Sequence, residues 1–448
     1  MTSSAERRCL AVVLAAGGGK RMCSRVPKVL HELAGRSMLA HVLAAVAAAG
    51  ADRLAIVVAP GQEDVVTEAK RVAPEAEIFV QTAPLGTAHA VLAAKAVLAA
   101  GFEDILIAFA DTPLVEPETF LNLRRALAAS NGVGVLGFEA TDPAGYGRLI
   151  FENGALAAIR EDKDLGEGER ALRLCNAGLM AIAGTHCLGL LESIGNANAQ
   201  GEYYLTDVVA AARRQRVKVT VILAPEGEVL GINDRRQLAA AGSILQVRLK
   251  EKAMAAGVTF LDPERVHLSY DTMFGRDVTV EPDVFFAPGV KVAEGATIRA
   301  FSHLTGAEVG PGSIVGPFAR LRSGAVLGEN VRIGNFVEIK AATLGAGVKV
   351  NHLAYIGDAT IGARTNIGAG AITCNYDGFT KFRTEVGEGA FVGVNAALVA
   401  PVKIGAGAYI GSGSVITDDV AEDALVIARA RQVEKPFWAK AFRAKHRK

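Results

Sequence analysis

The sequence predicts two fold classes in one chain: an α/β half built on a mostly parallel, Rossmann-like sheet, then a parallel β-helix. Two observations predict this. Short apolar runs alternate with Ala-rich helical stretches through the first half, and from about Val280 apolar residues recur every six positions. The length of 448 residues agrees, since one core rarely organises so long a chain.

In the first half, Leu10–Ala15, Leu54–Val58, Ile105–Phe109 and Gly132–Gly137 read as strands buried on both faces. Between them Met38–Ala49, Thr87–Ala100 and Pro117–Ala129 read as helices. A sheet covered on both sides binds ligands at the carboxyl ends of its strands, where the glycine turn after Ala15 and Asp111 after Phe109 would fall. Residues 235–256 carry Leu, Ile and Val at helical spacing with charges between them, as in one helix linking two domains.

In the second half the count runs Val280, Phe286, Val292, Ile298, Leu304. It restarts after a five-residue step at Val309, Val315, Leu321, Leu327, Ile333, Ile339, and resumes at Leu344, Val350, Ile356 and at Ile361, Ile367. A last set is Val386, Val392, Leu398, Ile404, Ile410, Ile416. A period of six fits neither a helix nor a simple strand. It fits a coil of three short parallel strands, with one aliphatic side chain per face pointing inward and the frequent following Gly at corners that need positive φ or tight packing. The one large break, 373–385, reads as a loop ejected from the coil, a common place for function.

Composition excludes several classes. Half the residues are hydrophobic and 21% charged, with 48 Lys/Arg against 47 Asp/Glu, so nothing in the overall charge favours nucleic acid or an anionic membrane. Five cysteines at irregular spacing, with no CxxC pair, suit a reducing compartment better than a disulfide framework or zinc site. No uncharged apolar run reaches the ~18 residues of a membrane span. Arg7-Arg8 before an apolar stretch resembles a short signal peptide, but Gly17-Gly18-Gly19-Lys20-Arg21 is a poor cleavage region, which favours a buried first strand and a cytoplasmic protein. Residues 431–448 hold seven Lys/Arg against one acid and read as a solvated, frayed tail.

Leu14-Ala15-Ala16-Gly17-Gly18-Gly19-Lys20-Arg21-Met22, then Pro27-Lys28, puts a glycine turn and cations just past a buried strand, where backbone N–H groups can cradle phosphates. It is neither a P-loop nor GxGxxG. The set resembles the signature of the sugar-1-phosphate nucleotidyltransferases. Further segments resemble the bacterial bifunctional family that joins N-acetylglucosamine-1-phosphate uridylyltransferase to glucosamine-1-phosphate N-acetyltransferase: Leu85-Gly86-Thr87-Ala88-His89-Ala90, Asp111-Thr112-Pro113, Gly145-Tyr146-Gly147-Arg148, Glu161-Asp162-Lys163, Asn176-Ala177-Gly178 and Gly231-Ile232-Asn233.

That resemblance implies a nucleotidyltransferase domain over 1–234, a linker helix over 235–256 and a left-handed hexapeptide-repeat acetyltransferase domain over 257–448. It implies Mg²⁺ held by Asp111 and Asn233, Arg21 and Lys28 acting on the phosphates, and Leu14, Ala15 and Gly17 lining the nucleotide site. Gln81, Gly86 and Thr87 would read uracil, and Gly147, Glu161 and Asn176 would hold the N-acetylglucosamine. Without it, Asp111 could cap a turn, Glu161 could belong to a solvated charged run and Asn176 could be a turn residue. Two departures from the pattern are Lys20 in place of Thr and Phe109-Ala110 in place of Tyr-Gly, where the Ala110 methyl would approach the nucleotide sugar.

His352 lies between the period positions Val350 and Ile356, and a lone histidine there could be mere packing. It comes with Arg322, Lys340, Tyr355, Asn366 and the loop residues Asn375, Tyr376 and Lys381. From about Gly310 to Pro436 this resembles the acetyltransferase half of the same family. The match implies His352 as general base, a task a neutral imidazole suits near pH 7. Arg322 and Lys340 would grip the sugar phosphate, Tyr355 and Asn366 the sugar, and Asn375 and Tyr376 the reacting centre. Lys381 and Arg429 would bind the sugar phosphate or coenzyme A, and Ala369 and Ser412 would also line the substrate site; Val394 departs from a frequent Ser near the coenzyme. Implied co-substrates are acetyl-CoA and UTP, the implied assembly is a homotrimer, and the implied role is supplying UDP-N-acetylglucosamine for peptidoglycan and lipid A. A single-activity nucleotidyltransferase with a regulatory coil, or a non-catalytic scaffold, would share the architecture but has no reason to retain His352 with its loop, or the Asp111/Asn233 pair.

Overall fold

The computed structural model describes residues 7–446, which separate into two compact units, Met1–Val247 and Arg248–Lys448. The first is built on a nine-stranded sheet. Its strands are β1 (Cys9–Leu14), β2 (Arg53–Val58), β3 (Glu77–Val80), β4 (Asp104–Phe109), β5 (Val133–Glu139), β6 (Arg148–Glu152), β7 (Ala155–Arg160), β8 (Leu174–Ala183) and β9 (Val219–Leu223). The main path runs β9-β5-β8-β4-β1-β2-β3, and the β6/β7 hairpin hangs from β8. Pairings among β4, β1, β2 and β3, and between β9 and β5, are parallel, and β8 runs antiparallel to both of its path neighbours.

Strands β1, β4 and most of β5 are buried on both faces because helices cover both sides, so their sequences are continuous apolar runs rather than alternating ones. Two cores result. One holds Val13, Leu43 and Phe120, the other Val12, Ile107 and Leu190. Helices Met38–Ala48 and Pro117–Ser130 form as expected, the first capped by Ser37 Oγ accepting from Ala40 N (3.1 Å). The single helix expected over Thr87–Ala100 is two, Thr87–Leu92 and Lys95–Leu98. Between them the chain tightens to i−3 bonds (Ala93 N to Ala90 O, Ala94 N to Val91 O), and the apolar residues of both pieces enter one core.

Helix Arg235–Ala255 runs through the boundary between the units. In the first unit Leu238, Ala241 and Leu245 pack with Leu33, Met38 and Leu114; in the second, Leu249 and Ala253 pack on the β-helix core.

The second unit is a parallel β-helix of three sheets with ten, nine and eight strands, most of them two or three residues long. Every aliphatic or aromatic residue of the six-residue count, from Val280 to Ile416, is buried in a single core. The registers stack them in columns, Val280–Ile298–Val315–Ile333–Val350–Ile367 on one face and Phe286–Leu304–Leu321–Ile339–Ile356 on the next. Glycine fills the corners in both expected ways, tight packing and positive φ. Glycines after the hexad residues mostly serve close packing: a methyl on Gly328 would lie 3.0 Å from the backbone of the next coil. Left-handed φ at one corner falls instead on Phe301, Phe318, Phe336 and Leu353. The Phe301, Phe318 and Phe336 rings stack on one another at 4.8 and 5.3 Å. The basic tail is exposed throughout its described part and ends in helix Trp438–His446; Arg447 and Lys448 lie outside the described residues.

Candidate active sites

In the first unit the carboxyl ends of β1, β3 and β4 open into a cavity of about 340 Å³. Its lining includes Leu14, Ala15, Gly17, Lys28, Gln81, Gly86, Thr87 and Asp111. The turn after β1 is held against Lys28: Gly19 has φ +55°, and a methyl there would lie 2.7 Å from Lys28 Cβ. Lys28 is buried, and its Nζ contacts both Asp111 Oδ2 (2.5 Å) and Asn233 Oδ1 (3.2 Å). Two oxygens from distant parts of the chain thus converge on one positive charge. Asn233 is fixed by its N–H donating to Gln237 Oε1 (2.7 Å), and Asp111 by its carbonyl accepting from Ile232 N (2.9 Å).

Gly147, Glu161 and Asn176 form a second group. Asn176 N donates to Gly147 O (2.8 Å), and a methyl on Gly147 would lie 3.5 Å from Glu161 Oε2. The β5/β8 register shifts between Asn176 and Met180, and this bulge turns Asn176 so that its Oδ1 accepts from Gly178 N (3.1 Å). The Phe109 ring reaches within 3.4 Å of the Cβ position of Gly178, joining this group to the cavity. Arg21 and Lys20 are exposed on the short 3-10 helix Lys20–Met22 and are not among the cavity-lining residues. The Ala110 methyl does not approach the cavity; it is fully buried in the core, because alternate residues of the strand end face opposite ways. Glu202, which falls within the resembling segment 198–207, and Pro84 also line the cavity, and the sequence assigned a role to neither.

Burial pushes the Glu161 carboxyl above the usual range, against the hydrogen bond Thr206 Oγ1 donates to it (3.0 Å), and the nearby charges of Asp164, Asp207 and Asp162 add to the rise. A solvated charged run is therefore not its environment.

In the second unit two clusters flank the strand Tyr355–Gly357. Before it, His352 Nδ1 lies 2.8 Å from Asn335 Oδ1, its register partner one coil earlier. With a carbonyl oxygen facing Nδ1, the neutral ring keeps its proton there and leaves Nε2 basic. The same corner climbs through Ala369, whose carbonyl accepts from Asn395 N (2.8 Å), to Val394, whose carbonyl accepts from Gly413 N (2.8 Å) beside Ser412, and to Arg429, whose Cδ lies 3.7 Å from the Cβ position of Gly413. Asn366 sits on the preceding sheet between Lys349 and Phe391.

After the strand, Asp358 gathers Lys340 Nζ (3.1 Å) and Asn375 Nδ2, which also reaches Tyr355 Oη (3.4 Å). Burial raises the Asp358 carboxyl, but the hydrogen bonds of Lys340 and Asn375 and the Lys340 and Lys381 charges outweigh it and hold it below the usual range. The Asp358 hydrogen bond holds the Lys340 ammonium up, and Lys340 in turn pushes Lys381 down, with Arg322 contributing. Arg322 also pairs with Glu338 (2.9 Å). Such crowded cations are relieved by an anion such as phosphate. Tyr376 and Lys381 pair across the ejected loop, with Tyr376 Oη donating to Gly378 O (2.5 Å). Asn335 and Asp358 had no role in the sequence reading; the coil stride that places them against His352 and Lys340 was the signal available.

One prediction concerns Glu161. Its folded-state value lies above its unfolded one, so burying the carboxylate costs nothing below the unfolded value and the full penalty above the folded one. Glu161→Gln, which can still accept from Thr206, should therefore raise the melting temperature at neutral pH. The gain should vanish near pH 3, as read by scanning calorimetry at both pH values.

Comparisons with known proteins identify the family. Residues 11–179 match the MobA-like NTP transferase domain, and 306–341 and 383–418 match the bacterial transferase hexapeptide (six repeats). The chain is 59% identical to the bifunctional protein GlmU of Xanthobacter autotrophicus, 58% to that of Azorhizobium caulinodans and 56% to that of a Bradyrhizobium species, in each case over 98% of both chains. The chain therefore belongs to the family of bifunctional GlmU proteins, the N-acetylglucosamine-1-phosphate uridylyltransferase/glucosamine-1-phosphate N-acetyltransferases.

Proposed function

We infer that the second unit acetylates glucosamine-1-phosphate with acetyl-CoA and the first then uridylylates the product from UTP. The observation that carries this is that each unit assembles its own polar site, one around Lys28, Asp111 and Asn233 and one around His352 and Asp358. For acetyl transfer, His352 Nε2 takes a proton from the sugar ammonium, and the freed amine attacks the thioester carbonyl. The N–C bond forms, the C–S bond breaks and coenzyme A leaves as the thiol. Lys340, Lys381 and Arg322 hold the sugar phosphate, and Tyr355, Asn366, Asn375 and Tyr376 orient the sugar and its amine. The corner column from Ala369 through Ser412 to Arg429 takes the coenzyme.

For uridylyl transfer, an oxygen of N-acetylglucosamine-1-phosphate attacks the α-phosphorus of UTP, and the bond to the β-phosphate breaks, releasing pyrophosphate. Lys28, with Arg21 from the loop, neutralises the phosphates; the turn through Leu14, Ala15 and Gly17 cradles them. Gln81, Gly86 and Thr87 read the base, and Gly147, Glu161 and Asn176 hold the sugar. Asp111 Oδ2 and Asn233 Oδ1, already converging on one cation, fit Mg²⁺, a hard ion that takes few protein oxygens beside phosphate. When bound, the metal neutralises phosphate charge and favours departure of pyrophosphate. Domain limits at 1–234, 235–256 and 257–448 and a cytoplasmic location, the latter supported by cysteines that are all free, belong to the same reading.

The assembly is a homotrimer in this reading. Phe301, Phe318, Phe336 and Leu353 are 45–61% exposed and form one apolar ridge beside His352, the kind of surface a further copy covers. Phe336→Asp should shift the sedimenting species from trimer toward monomer and weaken acetyl transfer. A wild-type monomer would refute the assembly, and a trimeric Phe336→Asp would refute the ridge as its interface.

The test of function follows free thiol and pyrophosphate separately in one mixture of glucosamine-1-phosphate, acetyl-CoA, UTP and Mg²⁺. His352→Ala should cut thiol release by about 10²–10⁴-fold and spare pyrophosphate release from supplied N-acetylglucosamine-1-phosphate. Asp111→Ala should do the reverse, by about 10²-fold or more. Equal loss of both signals in either variant would sink the division of labour. Asn335→Ala should lower kcat for acetyl transfer about tenfold with little change in KM, since it loosens the base and touches no substrate; an unchanged kcat would leave Asn335 a packing residue.

A further inference from the structure

Gln81 follows directly on β3, is buried at the cavity wall and has its backbone N–H committed to Val58 O (2.9 Å). Its side-chain Nε2 donates to Gly86 O (3.1 Å) and lies 3.2 Å from His89 Nδ1. A backbone carbonyl can only accept, so the contact with Gly86 O fixes which end of the amide is nitrogen. An amide nitrogen cannot accept, so His89 Nδ1 is the acceptor in this contact, as in the tautomer with its hydrogen on Nε2. Both amide hydrogens are then spent, and Oε1 is the atom Gln81 has left for a ligand.

The frame around this amide is rigid. Gly86 has φ +112°, and a methyl there would lie 2.5–2.9 Å from the Tyr203 backbone, so the chain at Tyr203 presses directly on the turn. Tyr203 N donates to Leu85 O (2.8 Å), Ala88 N to Tyr203 O (2.9 Å) and Leu205 N to Thr87 Oγ1 (2.9 Å). His89 rides on the same short helix, Thr87–Leu92, so Gly86 O and His89 Nδ1 address Gln81 as one unit.

A lone acceptor at this wall matches one pyrimidine better than the other. Uracil offers N3–H to it, whereas cytosine presents a lone pair at N3. We propose that His89 is a positioning residue that sets the polarity of the Gln81 amide and thereby the preference for uridine over cytidine nucleotides. This rests on the reading of Gln81 as the base contact. His89 itself touches neither the phosphates nor the sugar in this assignment; it acts through Gln81.

The experiment compares pyrophosphate release from UTP and from CTP, with Mg²⁺ and N-acetylglucosamine-1-phosphate, in the full chain and in His89→Leu and His89→Asn. His89→Leu should lower the UTP-over-CTP ratio of kcat/KM about tenfold, chiefly through a higher KM for UTP. Asn can place Oδ1 where Nδ1 stands, so His89→Asn should restore the ratio to within about threefold of wild type. An unchanged ratio in His89→Leu, or an equal loss with both nucleotides, would overturn the proposal. The melting transition of the first unit in the same preparations, read by scanning calorimetry, reports whether it has folded, and His89→Phe, closer in shape, is read the same way if the Leu variant has not. No pyrophosphate from UTP in the wild-type chain would instead remove the uridylyl reading itself.

Discussion

Each coil of the second unit has to close on its inward side chains, one hexad residue per face, most joined by a buried Val or Ala two positions earlier, because three short strands enclose little space and too small a set leaves a void. From Val280 to Ile416 that condition is met by aliphatic residues and Phe286, all buried in one core. Once the inward positions are fixed, every outward position is fixed too, one coil above its register partner. His352 stands over Asn335 and Tyr355 over Glu338 for that reason, and the next corner brings Lys340 and Asp358 together. The proposed acetyl-transfer site is thus a by-product of core packing, with its polar groups placed by a rigid ladder rather than by flexible loops. The ejected loop supplies what the ladder cannot, bringing Asn375 onto Asp358 and Lys381 into the field of Lys340.

The first unit solves the same problem differently. A doubly covered sheet leaves its strand ends as the place where polar groups can face a cavity, and β1, β3 and β4 end together there. Chain reversal at β8 then matters, because its antiparallel pairing with the start of β6 brings Asn176 N to Gly147 O. Lys28 is the electrostatic centre: a buried ammonium held by Asp111 and Asn233, residues brought together from three distant stretches of sequence. Burial of Glu161 in the neighbouring group is a cost to the fold that the proposed sugar-binding role accounts for.

Much of this was legible without coordinates. The helix expected over 235–256 is found at Arg235–Ala255, and β1, β2, β4 and β5 fall within a residue or two of the apolar runs that mark them. Strands β3, β8 and β9 were not read, since β8 is antiparallel and interrupted at Asn176 and the other two are only partly buried edge-side segments. At the corners glycine answers the close approach of successive coils, one of its two expected roles, while Phe301, Phe318 and Phe336, which the period does not mark, take left-handed φ with their rings stacked along the ridge. The methyl of Ala110, suspected of crowding the nucleotide site, points into the core.

By itself the sequence determined the architecture, through periods that only one packing satisfies, and the residue types available for chemistry, through motifs that survive as short strings. What it could not determine is which of those residues meet. Asn335 lies 17 positions before His352 and Gln237 is four beyond Asn233, spacings that carry no recognisable signal until a coil or a helix turn closes them. The orientation of the Gln81 amide, the convergence of Asp111 and Asn233 on Lys28 and the raised carboxyl of Glu161 all depend on contacts between distant segments. Hydrogen-bond direction and desolvation are properties of neighbours in space, so only the tertiary structure decided them.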